Sequence, residues 1–235
     1  MDVRSARTVL AVQPHYDDND IGCAGTLRLL RLAGASITYV TVTDDLAGVL
    51  DSQISDDEAL GRIRAEQVEA GAVIGVSAQV RLDWPDAAGI DRIALRDQVV
   101  DLIRQVRPDL VVTVDPWLRH ESHSDHLHTG MAVAEAMVLS GLPRFRRHVG
   151  LDPHQPAGVA FAMTTEPTDV VDTSSVQEER HAVLDCYRSQ FTSDELRRLH
   201  RGLDTLERSV APTGGTHGER LRVLAPHQLH VGLTG

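Results

Sequence analysis

Two short histidine–aspartate clusters carry the residue types that could do chemistry in this chain. Pro14-His15-Tyr16-Asp17-Asp18 directly follows the apolar run Val9-Leu10-Ala11-Val12. His120-Glu121-Ser122-His123-Ser124-Asp125-His126 comes shortly after a second apolar run, Leu110-Val111-Val112-Thr113-Val114. Each cluster lies where a buried strand ends and a loop begins, and in open α/β sheets that rim is where sites are built. Together they offer enough imidazoles and carboxylates for one divalent metal, with a carboxylate to spare as a base. That is the equipment of metal-assisted hydrolysis.

The elements that must position these clusters follow from the hydrophobic pattern. Thr8–Gln13, Ile37–Val42 and Leu110–Val114 read as buried strands, with a shorter one at Val80–Leu82 and another at Val159–Met163. Ile21–Ala33, Asp56–Gly75, Ile90–Val106 and His126–Ser140 read as helices, the first stopped by Gly34, the second capped by Ser55 or Asp56, the third ending before Pro108. Strand, helix, strand, helix in this order predicts parallel pairing with helices on both faces. Beyond Gly141 the pattern loosens. Leu151–Pro156 should be a loop, Ser174–Tyr187 and Ser193–Arg208 helices, and Ala211–Gly218 a mobile, turn-rich segment. No repeat or linker divides the chain, so one domain is expected over residues 1–235, less regular from about residue 150.

Composition narrows the function. With 235 residues, 42% of them hydrophobic, the chain can build one sizeable core, and aromatics at 3% make that core aliphatic. A formal charge of −11 argues against nucleic acid or an anionic membrane as partner. Every cationic side chain is Arg; the absence of Lys removes lysine-based covalent chemistry. Cys23 and Cys186 form no CxxC pair, the first residues hold no apolar signal segment, and no run is long enough to span a membrane, so a reduced, cytoplasmic setting is expected.

The motifs resemble a known family. Gln13-Pro14-His15-Tyr16-Asp17-Asp18 followed by Ile21-Gly22-Cys23-Ala24-Gly25-Thr26-Leu27 is similar to the signature of the LmbE-like (PIG-L type) zinc-dependent deacetylases. His123-Ser124-Asp125-His126-Leu127-His128-Thr129-Gly130 resembles the second motif of that family. Weaker matches cover Arg64-Ala65-Glu66, Leu82-Asp83-Trp84-Pro85-Asp86, Val170-Val171-Asp172 and Tyr187-Arg188-Ser189-Gln190, so the likeness spans roughly residues 8–192. It implies a Rossmann-like three-layer α/β sandwich with a mostly parallel sheet; no Gly-x-Gly-x-x-Gly follows the first strand, so no dinucleotide is expected. It also implies one Zn²⁺ per chain held by His15, Asp18 and His126, with Asp17 as general base and a protonated His123 beside the oxyanion. Asp125 would orient a neighbouring imidazole. Arg64 and Asp86 are placed near sugar hydroxyls.

Two positions depart from the usual motif. Tyr16 stands where Pro is usual, putting a phenol beside the metal residues as a substrate-side group, and Asn19 replaces an acidic residue. Asp44-Asp45 stands where many relatives carry a Thr-x-Gly-like turn. Taken singly, His15 and Asp18 fit an ordinary cap and turn, and His120 and His128 read as surface or rim residues. Cys23 reads as a packed thiol, and Gly22 and Gly25 as close-packing positions. The reading of the whole is a hydrolase that removes an N-acetyl group from an N-acetylglucosamine-type sugar or conjugate, with small-molecule substrate, no nucleic acid or membrane partner, and a homo-oligomer (trimer or hexamer). The competing readings are an amidase on a non-sugar conjugate, such as a thiol adduct or antibiotic intermediate, and a catalytically silent, metal-stabilised sugar-binding protein.

Overall fold

Aliphatic runs with few turn residues make the central strands. β1 (Thr8–Gln13), β2 (Ser36–Thr43), β3 (Ala78–Trp84), β4 (Leu110–Val114) and β5 (Gly158–Ala162) pair in parallel in a computed structural model that describes residues 2–230. The expected domain 1–235 reaches Met1 and residues 231–235, which lie outside the described residues. Helices α1 (Asp18–Leu32), α2 (Asp56–Ile74), α3 (Arg92–Val106) and α4 (Ser124–Leu139) alternate with the strands. Ser55 caps α2 by accepting from the Glu58 N–H, and Gly75 ends it in the left-handed conformation (φ +88°).

Strand alternation builds the two cores. Val9, Ala11, Ile37, Tyr39, Leu110 and Val112 face one cluster, and Leu10, Val12, Val40, Val42 and Val111 face the other. Both sets are essentially sealed from solvent, which is why these strands read as continuous apolar runs. The result is the three-layer α/β sandwich with a mostly parallel sheet that the pattern predicts.

The sheet runs β3-β2-β1-β4-β5, so the chain leaves β1 toward β2 on one side and returns to β4 on the other. Val9–Ala11 of β1 pairs with Ile37–Tyr39 of β2 and with Leu110–Val112 of β4. The carboxyl ends of β1 and β4 therefore form a topological switch point, the crevice where open sheets of this kind bind ligands. Both histidine clusters leave the sheet there.

The C-terminal part adds β6 (Asp169–Asp172), α5 (Gln177–Leu184), α6 (Ser193–Ser209) and β7 (Gly218–Leu224). β7 pairs antiparallel with β5 and β6. The sequence reading placed no strand here, although Glu219, Leu221 and Val223 alternate with Arg220 and Arg222, the period of a half-buried strand. The turn expected over Ala211–Gly218 ends where β7 begins. The helix expected over Ser174–Tyr187 is a 3-10 turn at Ser174–Val176 followed by α5, which stops short of Tyr187 and frees that ring to turn toward β1.

Candidate metal and active site

The loop after β1 is folded back on itself by buried polar groups. Gln13, at the end of β1, accepts from the Asn19 N–H (2.9 Å) and donates to the Tyr16 carbonyl (3.1 Å) and to Thr41 Oγ1 (3.2 Å). Asp18 accepts from the His15 N–H at 2.8 Å. α1 begins at Asp18, earlier than its apolar periodicity suggests, and breaks at Cys23 (φ −159°). The break is held from both sides. Arg180 donates to the Ile21 carbonyl (3.1 Å), and Glu219 takes the N–H groups of Gly25 (2.8 Å) and Thr26 (2.7 Å). A Cβ at Gly25 would lie 2.9 Å from Glu219 Oε1, so this approach requires glycine. Cys23 is fully buried, and that burial pushes its thiol well above its usual range, as a packing residue requires.

In the first turn of the helix, Asp20 accepts from Tyr39 (2.7 Å) and from Tyr187, whose hydroxyl also reaches the Tyr16 carbonyl at 2.8 Å. The C-terminal segment thereby grips the first motif. The loop after β4 supplies the other half. His123 caps α4: its Nδ1 accepts from the Asp125 N–H at 3.3 Å.

The two halves meet around Asp18. His15 Nδ1 lies 3.2 Å from Asp18 Oδ2, and His126 Nε2 lies 3.2 Å from Asp18 Oδ1. Ligand-type atoms of His15, Asp18 and His126 all fall within 4.8 Å of one another, a spacing that fits one cation. Two imidazoles and a carboxylate suit a divalent transition metal, Zn²⁺ among them. A second carboxylate lies near each imidazole. Glu121 Oε2 is 3.1 Å from His126 Nδ1, and Asp86 Oδ1 is 3.3 Å from His15 Nε2. This last pair lacks hydrogen-bond angles, and both atoms are buried without another partner. Asp17 belongs to none of the three candidate metal groups among the described residues, although it lines the same cleft.

Electrostatics describes a site that demands positive charge. Burial disfavours the charged imidazole of His15, but the Asp18 and Asp86 carboxylates outweigh it and push the pKa up to about 11. His126 is raised against its burial by Asp18. Burial works to raise Asp18 as well, but His126 and His15 hold it below the usual carboxylate range. Burial, and then the negative charges of Asp18 and Asp45, push Asp17 well above that range. A dication among these ligands would supply the same positive charge with the imidazoles neutral.

The cleft, about 290 Å³, is lined by His15, Asp17, Asp45, Ala47, Gly48, Asp86, His123 and Gln190. Asp45 accepts from the Tyr16 N–H (3.0 Å) and from Gln190 Nε2 (2.7 Å). A separate cavity of about 230 Å³ between the α1 break and α6 has no imidazole in its lining.

The other expected site residues differ in how they meet the cleft. Tyr16 is fully buried in the core; its ring turns away from the cleft and its hydroxyl faces Arg64 Nε (3.4 Å), so it offers no surface to a substrate. Arg64 pairs with Asp83 (2.7 Å) and does not line the cleft. Asp86 is in the cleft, but its nearest charged partner is His15. Asp125 accepts from the Ala87 N–H (2.9 Å) and approaches His15 Nε2 at 3.8 Å; the tie to His123 runs through its backbone. With Nδ1 accepting that bond, Nε2 is the His123 ring nitrogen left to donate toward the cleft. Glu121, Asp45 and Gln190 escaped the sequence reading as site residues, although all three lie inside segments that it quoted.

A family model described as PIG-L, GlcNAc-PI de-N-acetylase, matches residues 10–137. The chain belongs to the PIG-L family. It is 36% identical over 191 residues to a diacetylchitobiose deacetylase of Thermococcus kodakarensis, covering 80% of this chain and 72% of that one. It is 29% identical over 198 residues to a probable N-acetyl-alpha-D-glucosaminyl L-malate deacetylase of Bacillus cereus, covering 78% and 84%. The structure of N,N'-diacetylchitobiose deacetylase from Pyrococcus horikoshii, complexed with its inhibitor MPG, superposes with a TM-score of 0.90 at 30% identity, over 97% of this chain and 87% of that one. These relatives bear out the expectation of an N-acetylglucosamine-type deacetylase over a non-sugar amidase or a silent binding protein. Among the described residues no helix is long and apolar enough to cross a membrane.

Proposed function

We propose that the protein is a zinc-dependent deacetylase that hydrolyses the acetamide of an N-acetylglucosamine-type sugar to acetate and a free amine. The observation that carries this reading is the convergence of His15 Nδ1, Asp18 and His126 Nε2, with the uncommitted carboxylate of Asp17 on the cleft wall beside them. A bound Zn²⁺ supplies Lewis acidity, polarising the acetamide carbonyl and acidifying water.

The residues of the chain do the rest. Asp17 takes a proton from the attacking water as the C–O bond forms. It then returns that proton to the sugar nitrogen, so that the C–N bond breaks and a neutral amine departs. His123 donates its Nε2–H to the carbonyl oxygen as negative charge builds there. Glu121 backs the His126 imidazole, and Asp125 ties the Asp86–Ala87 turn to α4. A cytoplasmic setting and a homo-oligomer, a trimer or hexamer with its mass to be read by light scattering, are further parts of the proposal.

The test is amine release from N-acetylglucosamine and N,N'-diacetylchitobiose by purified protein. Dialysis against a chelator should abolish release, and zinc should restore it. Release that survives complete metal removal would overturn the reading.

A further inference from the structure

The cleft is one-sided in charge. Asp17, Asp45 and Asp86 line it, and no Arg does, while the chain has no Lys at all. The guanidinium of Arg64 is already engaged by Asp83. A dication among the ligands balances Asp17 and Asp18, and leaves Asp45 and Asp86 uncompensated.

Asp45 is the member whose placement is most deliberate. It is 3% exposed and sits at φ +56°, a left-handed conformation that few residues other than glycine adopt. Its Oδ2 takes both the Tyr16 N–H and the Gln190 amide, which pins the carboxylate. Its Oδ1 accepts no hydrogen bond among the described residues, and an oxygen of this carboxylate lies within 4.8 Å of ligand-type atoms of His15 and Asp86. Gly48 leaves this face open. A Cβ there would stand 3.1 Å from Asp45 Oδ1 and 2.9 Å from Gln190 Nε2. An independent sign that something polar belongs in this space is the pair of buried, unpartnered atoms beside it, His15 Nε2 and Asp86 Oδ1.

We propose that Asp45 makes the sugar-binding part of the cleft a charge filter: it accepts hydroxyl groups of uncharged N-acetylglucosamine saccharides and excludes substrates that carry a phosphate or carboxylate on the acetamido sugar. A sugar hydroxyl can donate to Oδ1, whereas an anionic group brought to the same place faces negative charge with no cationic side chain of Arg or Lys to offset it. The proposal rests on the deacetylase reading and names its substrate class.

The experiment compares kcat/KM for amine release by the zinc-loaded protein on N,N'-diacetylchitobiose and N-acetylglucosamine with the same quantity on N-acetylglucosamine 6-phosphate and 1-phosphate. The native protein should prefer the neutral sugars by about a hundredfold, and Asp45→Asn, with zinc content unchanged, should shrink that preference by about tenfold, mainly through a lower KM for the phosphorylated sugars. A second measurement needs no variant: inhibition of the native protein by N-acetylglucosamine 6-phosphate should strengthen as ionic strength rises, because salt screens the repulsion. Equal turnover of neutral and phosphorylated sugars, or inhibition that weakens with salt, would overturn the filter while leaving the deacetylase reading in place. Failure of every sugar to release amine, with turnover of a non-sugar amide, would overturn both.

Discussion

The loop after β1 is fixed from several other elements, whereas the loop after β4 is fixed mostly by itself. His15, Asp17 and Asp18 are all less than a tenth exposed, and the first turns of their helix are gripped by Tyr39, Arg180, Tyr187 and Glu219. In the β4 loop, Ser122 and His123 are exposed, His120 sits at φ +74°, and the local ties run Trp117 to Asp115, Glu121 to Leu118 and His123 to Glu121. The difference teaches a division of labour. The buried β1 loop holds two ligands and the base in fixed geometry, whereas the β4 side supplies the third ligand, His126, and the exposed donor His123. Preorganisation of this kind is what makes electrostatic catalysis effective.

That comparison can be broken in order of expected effect. His15→Ala should lose both metal and amine release, since it removes a ligand from the rigid half; full metal occupancy by elemental analysis would show that the buried loop is not the ligand side. His123→Ala should keep the metal and lose about 10²-fold in kcat with little change in KM, the usual scale for removing one oxyanion donor. His123→Gln should recover part of that loss, because a neutral N–H suffices where Nδ1 is already an acceptor; no recovery would argue for a cation.

Tyr187→Phe sharpens the comparison from a distance. It deletes the hydroxyl that reaches the Tyr16 carbonyl and Asp20, so metal affinity should weaken about tenfold, as when an outer-shell partner is lost. Stability should fall by about 1 kcal/mol, read from urea midpoints. His120→Ala should change kcat/KM less than about twofold, as expected of an exposed residue outside the machinery.

Much of this was legible in the sequence, for a physical reason. Strands buried on both faces must be continuous apolar runs, so β1 and β4 were placed to the residue, and their ends carried the chemistry. His15, Asp18 and His126, the ligand set that the family resemblance implies, lie within 4.8 Å of one another. What escaped was whatever depends on which way a side chain turns. Tyr16 alternates inward to Arg64 and not toward the cleft. His123 caps a helix, a role that only backbone geometry reveals. Gln190 and Glu219 reach the site region through contacts across 145 or more residues of chain, and Asp45 meets Tyr16 from the end of the neighbouring strand; no local pattern announces such contacts. β7 escaped because its half-exposed face carries two arginines, which dilute its apolar signal.

The division between metal-holding and proton-moving residues is tested most directly by one paired measurement on Asp17→Asn: zinc per chain, and the rate of amine release from N,N'-diacetylchitobiose. Asparagine keeps the size of the side chain and removes its ability to take a proton. The account predicts zinc content equal to that of the native protein with a rate lower by about 10²–10⁴-fold, the range for a lost general base. Zinc lost in step with activity would make Asp17 a ligand, and a native rate would remove it from the chemistry altogether.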